Sequence, residues 1–233
     1  MKVLVVAAHP DDEILGMGGT ILKHGLKNDP VSVAYMATGI TSRKFSVENF
    51  ASELRINEKQ WKNDISQLRK NAISASKLLK VKNVEFFDFP DNSLDSVPLL
   101  KVVKVIENLI KKYKPERIYT NHYNDLNIDH RTVYNATLTA CRPINHIVKE
   151  ILSFEVLSST EWNYPYNFNP NYFVDIKNQL DKKIKAMNFF KTEIQKFPHP
   201  RSKENIKLTA GRWGSVSGFH AAEAFEMIRK IEK

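Results

Sequence analysis

Two short clusters hold most of the side chains in this sequence that can bind a metal and move a proton. The first is His9-Pro10-Asp11-Asp12-Glu13, in which an imidazole and two carboxylates fall within four residues. Metal-assisted hydrolysis needs about three protein ligands, commonly His and carboxylate, an open position for water and a neighbouring base. One turn supplies most of that set, and Pro10 restricts the backbone between the imidazole and the carboxylates. The second cluster is Asn121-His122-Tyr123-Asn124-Asp125-Leu126-Asn127-Ile128-Asp129-His130, ending where an amphipathic helix begins. Asp129 is explained there as a helix cap, whereas His130 on the first turn has no such role. A lone His is more often structural than ligating, but a second His cluster at a second strand end shifts the balance toward a shared metal.

Gly16, Gly18 and Gly19 follow the first cluster and permit close approach of the loop and helix start to a substrate. Their spacing does not match a dinucleotide-binding fingerprint, and carboxylates stand where phosphates would lie. A nicotinamide-dependent enzyme is therefore disfavoured.

Positioning these clusters requires strand ends. Apolar runs of strand length alternate with longer amphipathic stretches, which predicts an α/β, Rossmann-like three-layer sandwich whose mostly parallel sheet is flanked by helices. Strands are expected at Lys2–Ala8, Val31–Ala37, Val84–Phe89, Arg117–Thr120, Ile151–Glu155 and Tyr172–Asp175. Helices are expected at Gly16–Lys27, Val47–Leu79, Leu99–Tyr113, Asp129–Cys141, Lys177–Phe190 and Ala221–Ile231. In Leu99–Tyr113 the residues Leu99, Val102, Val103, Ile106, Leu109 and Ile110 form one apolar stripe. Asp91–Pro98, Ser158–Pro170 and Phe197–Gly218 read as loops, the last two long enough to be functional. Ligands of open parallel sheets collect at the carboxyl ends of strands, where both clusters fall.

A chain of 233 residues with 42% hydrophobic residues fits one domain with a full core. The lone Cys141 allows no intrachain disulfide and excludes a cysteine-rich metal site, so His and carboxylates must hold any metal. No apolar run reaches the roughly 18 residues of a membrane span, and Val3–Ala8 reads as a buried strand rather than a signal segment; a cytoplasmic location is expected. The formal charge of +9 admits an anionic substrate or a nucleic acid. Lysines scattered along helix faces (Lys101, Lys104, Lys111, Lys112, Lys182, Lys183, Lys185), with no compact basic block, make a nucleic-acid partner the weaker reading.

On these motifs the sequence resembles the PIG-L/LmbE zinc-dependent N-acetyl-sugar deacetylases. Ala8-His9-Pro10-Asp11-Asp12-Glu13 carries the most specific resemblance, and Asp129-His130-Arg131 a second. Weaker similarity runs through Cys141-Arg142-Pro143, Ser158-Ser159-Thr160-Glu161-Trp162, and Gly211-Arg212 to Ala222-Glu223-Ala224-Phe225. The resemblance implies that His9, Asp12 and His130 bind Zn2+ while Asp11 stays off the metal as general base. It also implies a small-molecule N-acylated sugar as substrate, with Arg142 in a substrate-binding position, where pairing with a surface carboxylate is the equal alternative, and Arg69 reaching toward ligand from the second helix. One departure is clear: many members carry His-x-Asp-His where this chain has Asn127-Ile128-Asp129-His130. Asn127 can donate a hydrogen bond to an oxyanion but cannot shuttle a proton; His220 or His122 is a candidate for the lost group. Trp162, Tyr164 and Trp213 each read either as a stacking face for a sugar ring or as a packing anchor, and Pro-flanked His199 reads as a surface loop residue. Asp91 and Asp95 read as turn and helix-entry residues, with pocket lining as the lesser alternative. The implied reaction is hydrolysis of an N-acetyl or other short acyl amide; a zinc amidase on a non-sugar substrate and a silent binding relative are the alternatives.

Overall fold

The computed structural model describes residues 1–40, 58–144 and 147–232. The elements, in chain order, are β1 (Val3–Ala7), α1 (Asp12–Leu26), β2 (Val31–Ala37), α2 (Glu58–Leu78), β3 (Asn83–Phe89), a 3-10 turn (Leu94–Ser96), α3 (Leu99–Tyr113), β4 (Arg117–Asn121), α4 (Ile128–Ala140), β5 (Glu150–Phe154), β6 (Tyr172–Asp175), α5 (Leu180–Met187), α6 (Lys203–Ser217) and β7 (Ala222–Lys230). The residues 47–57 of the expected second helix lie outside the described residues.

Seven strands form one sheet in the order β3-β2-β1-β4-β5-β7-β6. β3, β2, β1, β4 and β5 are parallel, and β7 runs antiparallel between β5 and β6. The chain builds outward from β1 to β3, then returns to add β4 on the other side, so β1 and β4 flank the point where strand order reverses. A crevice opens at such a switch point because the two connections leave in opposite directions.

β1 is buried on both faces, as a central parallel strand must be. Val3, Val5 and Ala7 join one core layer with Ile14, Ile21, Leu68, Ala72, Ile184 and Met187 from α1, α2 and α5. Leu4, Val6 and Ala8 face the other layer, with Val102, Val103 and Ile106 of α3 and Val133 and Ala136 of α4. The α3 stripe thus meets the sheet, except that Leu99 at its start is 40% exposed.

Two expectations fail at the carboxyl-terminal end. Ala222–Lys230 is a strand, although Ala, Glu and Met favour helix. Tertiary contacts override that propensity: Glu223 is buried, accepts from Gly19 and Thr20 backbone N–H at 2.9 and 2.6 Å, and pairs with Lys183 at 2.7 Å. Lys183 is therefore a buried cation and no part of a solvated lysine face. The segment read as a loop contains α6, whose Ser202 caps the Asn205 N–H at 3.0 Å and whose glycines disguise it. The glycines after the first motif also serve packing rather than substrate: a Cβ on Gly16 would stand 2.4 Å from the Phe154 ring, and one on Gly19 2.7 Å from Ile176. No helix among the described residues is long and apolar enough to cross a membrane.

Candidate metal centre

α1 begins at Asp12, so the first motif straddles its N-terminus. Asp12 and Glu13 lie in the first turn, where the exposed N–H groups and helix dipole favour carboxylates. Asp11 just before it has φ 119° and ψ −25°, a region that side chains other than glycine rarely occupy. The turn is fixed from within: His9 N–H donates to Asp12 Oδ2 at 2.9 Å, and Asp11 N–H to Glu13 Oε2 at 3.2 Å. Asn121 at the end of β4 ties the two motifs together, accepting from Ala8 N–H at 2.9 Å and donating to Asp12 Oδ2 at 3.0 Å.

His9, Asp12 and His130 converge, all three buried, with one ligand atom from each lying within 4.8 Å of the others. The two imidazole centroids are 5.4 Å apart. Asp12 Oδ2 is 3.3 Å from His130 Nε2 and 3.7 Å from His9 Nδ1. The far nitrogens face carboxylates. His9 Nε2 lies 2.9 Å from Asp129 Oδ2 and 3.1 Å from Asp91 Oδ1; His130 Nδ1 lies 3.2 Å from Asp125 Oδ1. Carboxylate partners of this kind fix the tautomer and ring orientation of metal-binding histidines.

The electrostatics fit a cation. Asp11, Asp12, Asp91, Asp125 and Asp129 are all buried around two imidazoles, and buried carboxylates in excess of buried cations are costly without a further positive charge. Burial alone would raise the Asp12 carboxyl, but the charge and hydrogen bond of His130 and the charge of His9 hold it below the usual range. Burial also opposes charge on His130, yet Asp12 and Asp125 raise it to about 9. Burial opposes the His9 charge as well, and hydrogen bonds to Asp129 and Asp91 with the charge of Asp12 raise it well above its ordinary value. Glu13 differs: burial pushes it up to about 8 against a 2.5 Å hydrogen bond from Tyr35, and it lines the core rather than the cleft.

These groups form the floor of a cleft of about 420 Å³. Asp11, Asp91, Asn127 and Trp162 also line it. Asp91 thus takes the lesser of its two sequence readings, lining the pocket. Asp129 is not the helix cap: Asn127 fills that role, accepting from Asp129 N–H at 2.8 Å and donating to Asn92 Oδ1 at 2.8 Å. Trp162 is 47% exposed and meets His199 edge to face at 5.4 Å, so His199 backs the cleft wall. Trp213 is buried and donates to Glu155 at 2.5 Å, which makes it a packing residue, while Tyr164 is 83% exposed.

Arg142, Arg69, His220 and His122 lie outside the cleft lining. Arg142 follows the C-terminus of α4, roughly 18 Å along the helix from His130; its side chain is 61% exposed, bonded to Thr139 O and 3.8 Å from Glu107. Arg69 is held by Asp88 and lies 5.2 Å over the Phe86 ring at β3. His220 is exposed on the turn after α6, roughly 22 Å of helix away from the cleft-lining Arg201. His122 is fully buried between Tyr123 and Phe168, 3.4 Å from Glu226, and does not line the cleft.

Sequence reading missed Asp125 and Arg201. Asp125 accepts from Ser159, from Thr160 at 2.7 Å and from Asn127 N–H at 2.9 Å, so the Ser158–Trp162 segment serves the His130 side of the site. Arg201 donates through Nη1 to Asp11 Oδ2 at 3.0 Å. Only its Pro-rich, basic neighbourhood marked it in sequence.

The family model described as "GlcNAc-PI de-N-acetylase", PIG-L, matches residues 4–141, which include both motifs. A diacetylchitobiose deacetylase of Thermococcus kodakarensis is 25% identical over 247 residues, covering 99% of this chain and 84% of that protein. A probable N-acetyl-alpha-D-glucosaminyl L-malate deacetylase 2 of Bacillus cereus is 25% identical over 202 residues, 83% of this chain and 84% of that one. The fold also hosts other chemistry: the 4-carboxy-2-hydroxymuconate hydratase GalB of Pseudomonas putida aligns with TM-score 0.72 at 18% identity, covering 100% of this chain and 98% of that one. With the family match spanning more than half its length, this chain belongs to the PIG-L family.

Proposed function

We propose that the protein is a zinc-dependent hydrolase that removes an N-acetyl or other short acyl group from the nitrogen of an amino sugar. The observation that carries the reading is the convergence of His9, Asp12 and His130 beside Asp11 at the strand-order reversal. The two deacetylase relatives, one named for diacetylchitobiose and one for an N-acetylglucosaminyl conjugate, support an N-acetylated sugar as the substrate class.

His9, Asp12 and His130 would hold the ion, oriented by Asp129, Asp91 and Asp125. When bound, zinc supplies a Lewis acid that makes water acidic near neutral pH and polarises an amide carbonyl. Asp11 takes the proton of the attacking water and returns it to the departing amine. Its neighbour Asp12 cannot share that task, because it would be a ligand itself and already accepts from His9 N–H and Asn121. Asn127 stands at the rim with an amide able to meet the oxyanion in exchange for its bond to Asn92. Trp162 offers an apolar face to the ring.

The cleft favours a neutral sugar over an anionic one. Among the described residues lining it, Arg201 is the one permanent cation, and it is paired with Asp11 and Glu193.

The test is acetate release from N-acetylglucosamine, diacetylchitobiose and related conjugates by zinc-loaded protein. Asp11→Asn should lower kcat by roughly 10²–10⁴-fold, the range of general acid-base catalysis, with zinc retained. No release from any sugar, with Asp11→Asn indistinguishable from wild type, defeats the proposal.

A further inference from the structure

Arg201 sits on the segment leading into α6, 190 residues from Asp11 in sequence, yet its guanidinium pairs with that carboxylate. Nη1 donates both to Asp11 Oδ2 at 3.0 Å and to Glu193 Oε2 at 2.9 Å, and Nε donates to Ser158 Oγ at 2.7 Å. Asp11 and Glu193 are buried, and the Arg201 side chain is 16% exposed. An arginine in a ligand cleft reads first as an anion receptor. Here the bonds of Nη1 and Nε go to the protein, and the planar fork is fixed at both ends by groups from three loops.

What Arg201 holds is unusual. Asp11 has a positive φ, so its backbone does not settle by intrinsic preference, and its side-chain direction must be imposed from outside. Glu13 fixes its N–H from the helix side. The guanidinium fixes its carboxylate from the cleft wall.

We propose that Arg201 is a positioning residue for the base, clamping the Asp11 carboxylate against the Ser158 and Glu193 loops in the orientation needed for proton transfer. The inference rests on the assignment of Asp11 above. Its expected signature is a loss in turnover without a loss in substrate binding, because Arg201 acts through Asp11 rather than on the sugar. Misplacing a reacting group by about 1 Å can lower rates roughly 10²-fold.

The experiment has a kinetic and a crystallographic arm. Zinc-loaded Arg201→Ala should show kcat for acetate release reduced roughly 10–100-fold with KM within about threefold of wild type. Millimolar guanidinium chloride should restore part of the lost turnover. Arg201→Lys, which keeps the charge but not the fork, should lose roughly three- to tenfold in kcat, and adding it to Asp11→Asn should cause no further loss. In crystals of the metal-free variants the Asp11 carboxylate should leave its wild-type position. Folded variants with kcat within twofold of wild type, or with Asp11 unmoved, overturn the proposal. If Arg201→Ala does not fold, Arg201→Lys carries both arms. If wild type releases no acetate from any sugar, the functional reading fails, and the crystallographic arm still judges the clamp.

Discussion

Asp129→Asn is a demanding perturbation of the metal centre because it changes one atom at the point where His9 is oriented. The carboxylate is fully buried; Oδ2 meets His9 Nε2 at 2.9 Å and Asn92 N–H at 2.6 Å, while Oδ1 accepts from Leu94 N–H at 2.9 Å. An amide has one oxygen. Whichever way Asn is turned, its NH2 faces a donor, either Leu94 N–H or the pair formed by Asn92 N–H and His9. A buried donor left without an acceptor costs about 1–3 kcal/mol, and a chain of this size shifts by roughly 2–4 °C per kcal/mol. The metal-free variant should therefore melt roughly 2–12 °C below wild type by calorimetry. Loss of an outer carboxylate from a metal-binding histidine weakens metal affinity roughly 10–100-fold, so chelator competition should raise the zinc Kd by that factor. A variant with zinc Kd within twofold of wild type and an unchanged Tm would refute the argument that Asp129 orients His9.

Other consequences follow from the same geometry. Asp125→Ala should weaken zinc binding by a similar factor of roughly 10–100, read by the same competition, because His130 loses its carboxylate while Ser159 and Thr160 lose their acceptor. Trp162→Ala should raise KM several-fold with little change in kcat, whereas Arg142→Ala, outside the cleft and exposed, should leave both unchanged in steady-state assays. Ile106→Ala in the α3 layer should cost about 2–5 kcal/mol in denaturant unfolding, as a fully buried aliphatic truncation. Burial, opposed by the Trp213 hydrogen bond, lifts the Glu155 carboxyl from 4.5 to about 7. Between those values the folded state holds a proton that the unfolded state has lost, so this group's contribution to stability falls as pH rises from about 4.5 through 7. Glu155→Gln should remove a destabilisation of about 3 kcal/mol at pH 8 and almost none at pH 4, seen as a Tm gain confined to the higher pH.

The convergence of the candidate ligands was legible in sequence because each half of it is local. His9, Asp11 and Asp12 occupy one turn, and His130 opens a helix after a strand, so residue type and the carboxyl-end rule of parallel sheets together locate them. Strand positions through β6 were legible for the same reason, since buried parallel strands read as continuous apolar runs. The failures share a cause in long-range contact. β7 carries helix-forming residues, and a buried Lys183 with the α1 N–H groups recruits Glu223 into the sheet. α6 hides behind Gly211, Gly214 and Gly218, of which Gly214 is required because a Cβ would stand 2.6 Å from Phe219 O. Arg142 and His220 looked close to the site only because their neighbours resembled family motifs; helix length carries both away from it.

The groups that set the orientation of the site were the least visible. Asp125, Asp91 and Asn121 are common turn residues whose roles arise only when β1 and β4 become neighbours. Asp129 and Asn127 exchange the roles that local rules assign: the amide caps α4, which leaves the carboxylate to accept from His9 and from the Asn92 and Leu94 N–H groups. That exchange bears on the missing histidine. A neutral imidazole at position 127 also carries one acceptor and one donor, but fixed in a ring rather than on one amide carbon, and once protonated it has no acceptor left to close the first turn of α4 as Asn127 does while its amide N–H reaches Asn92. In this chain Asn127 therefore links the His130 helix to the loop that carries Asp91. Replacing it with His should be judged first by the geometry of that loop and only then by proton transfer.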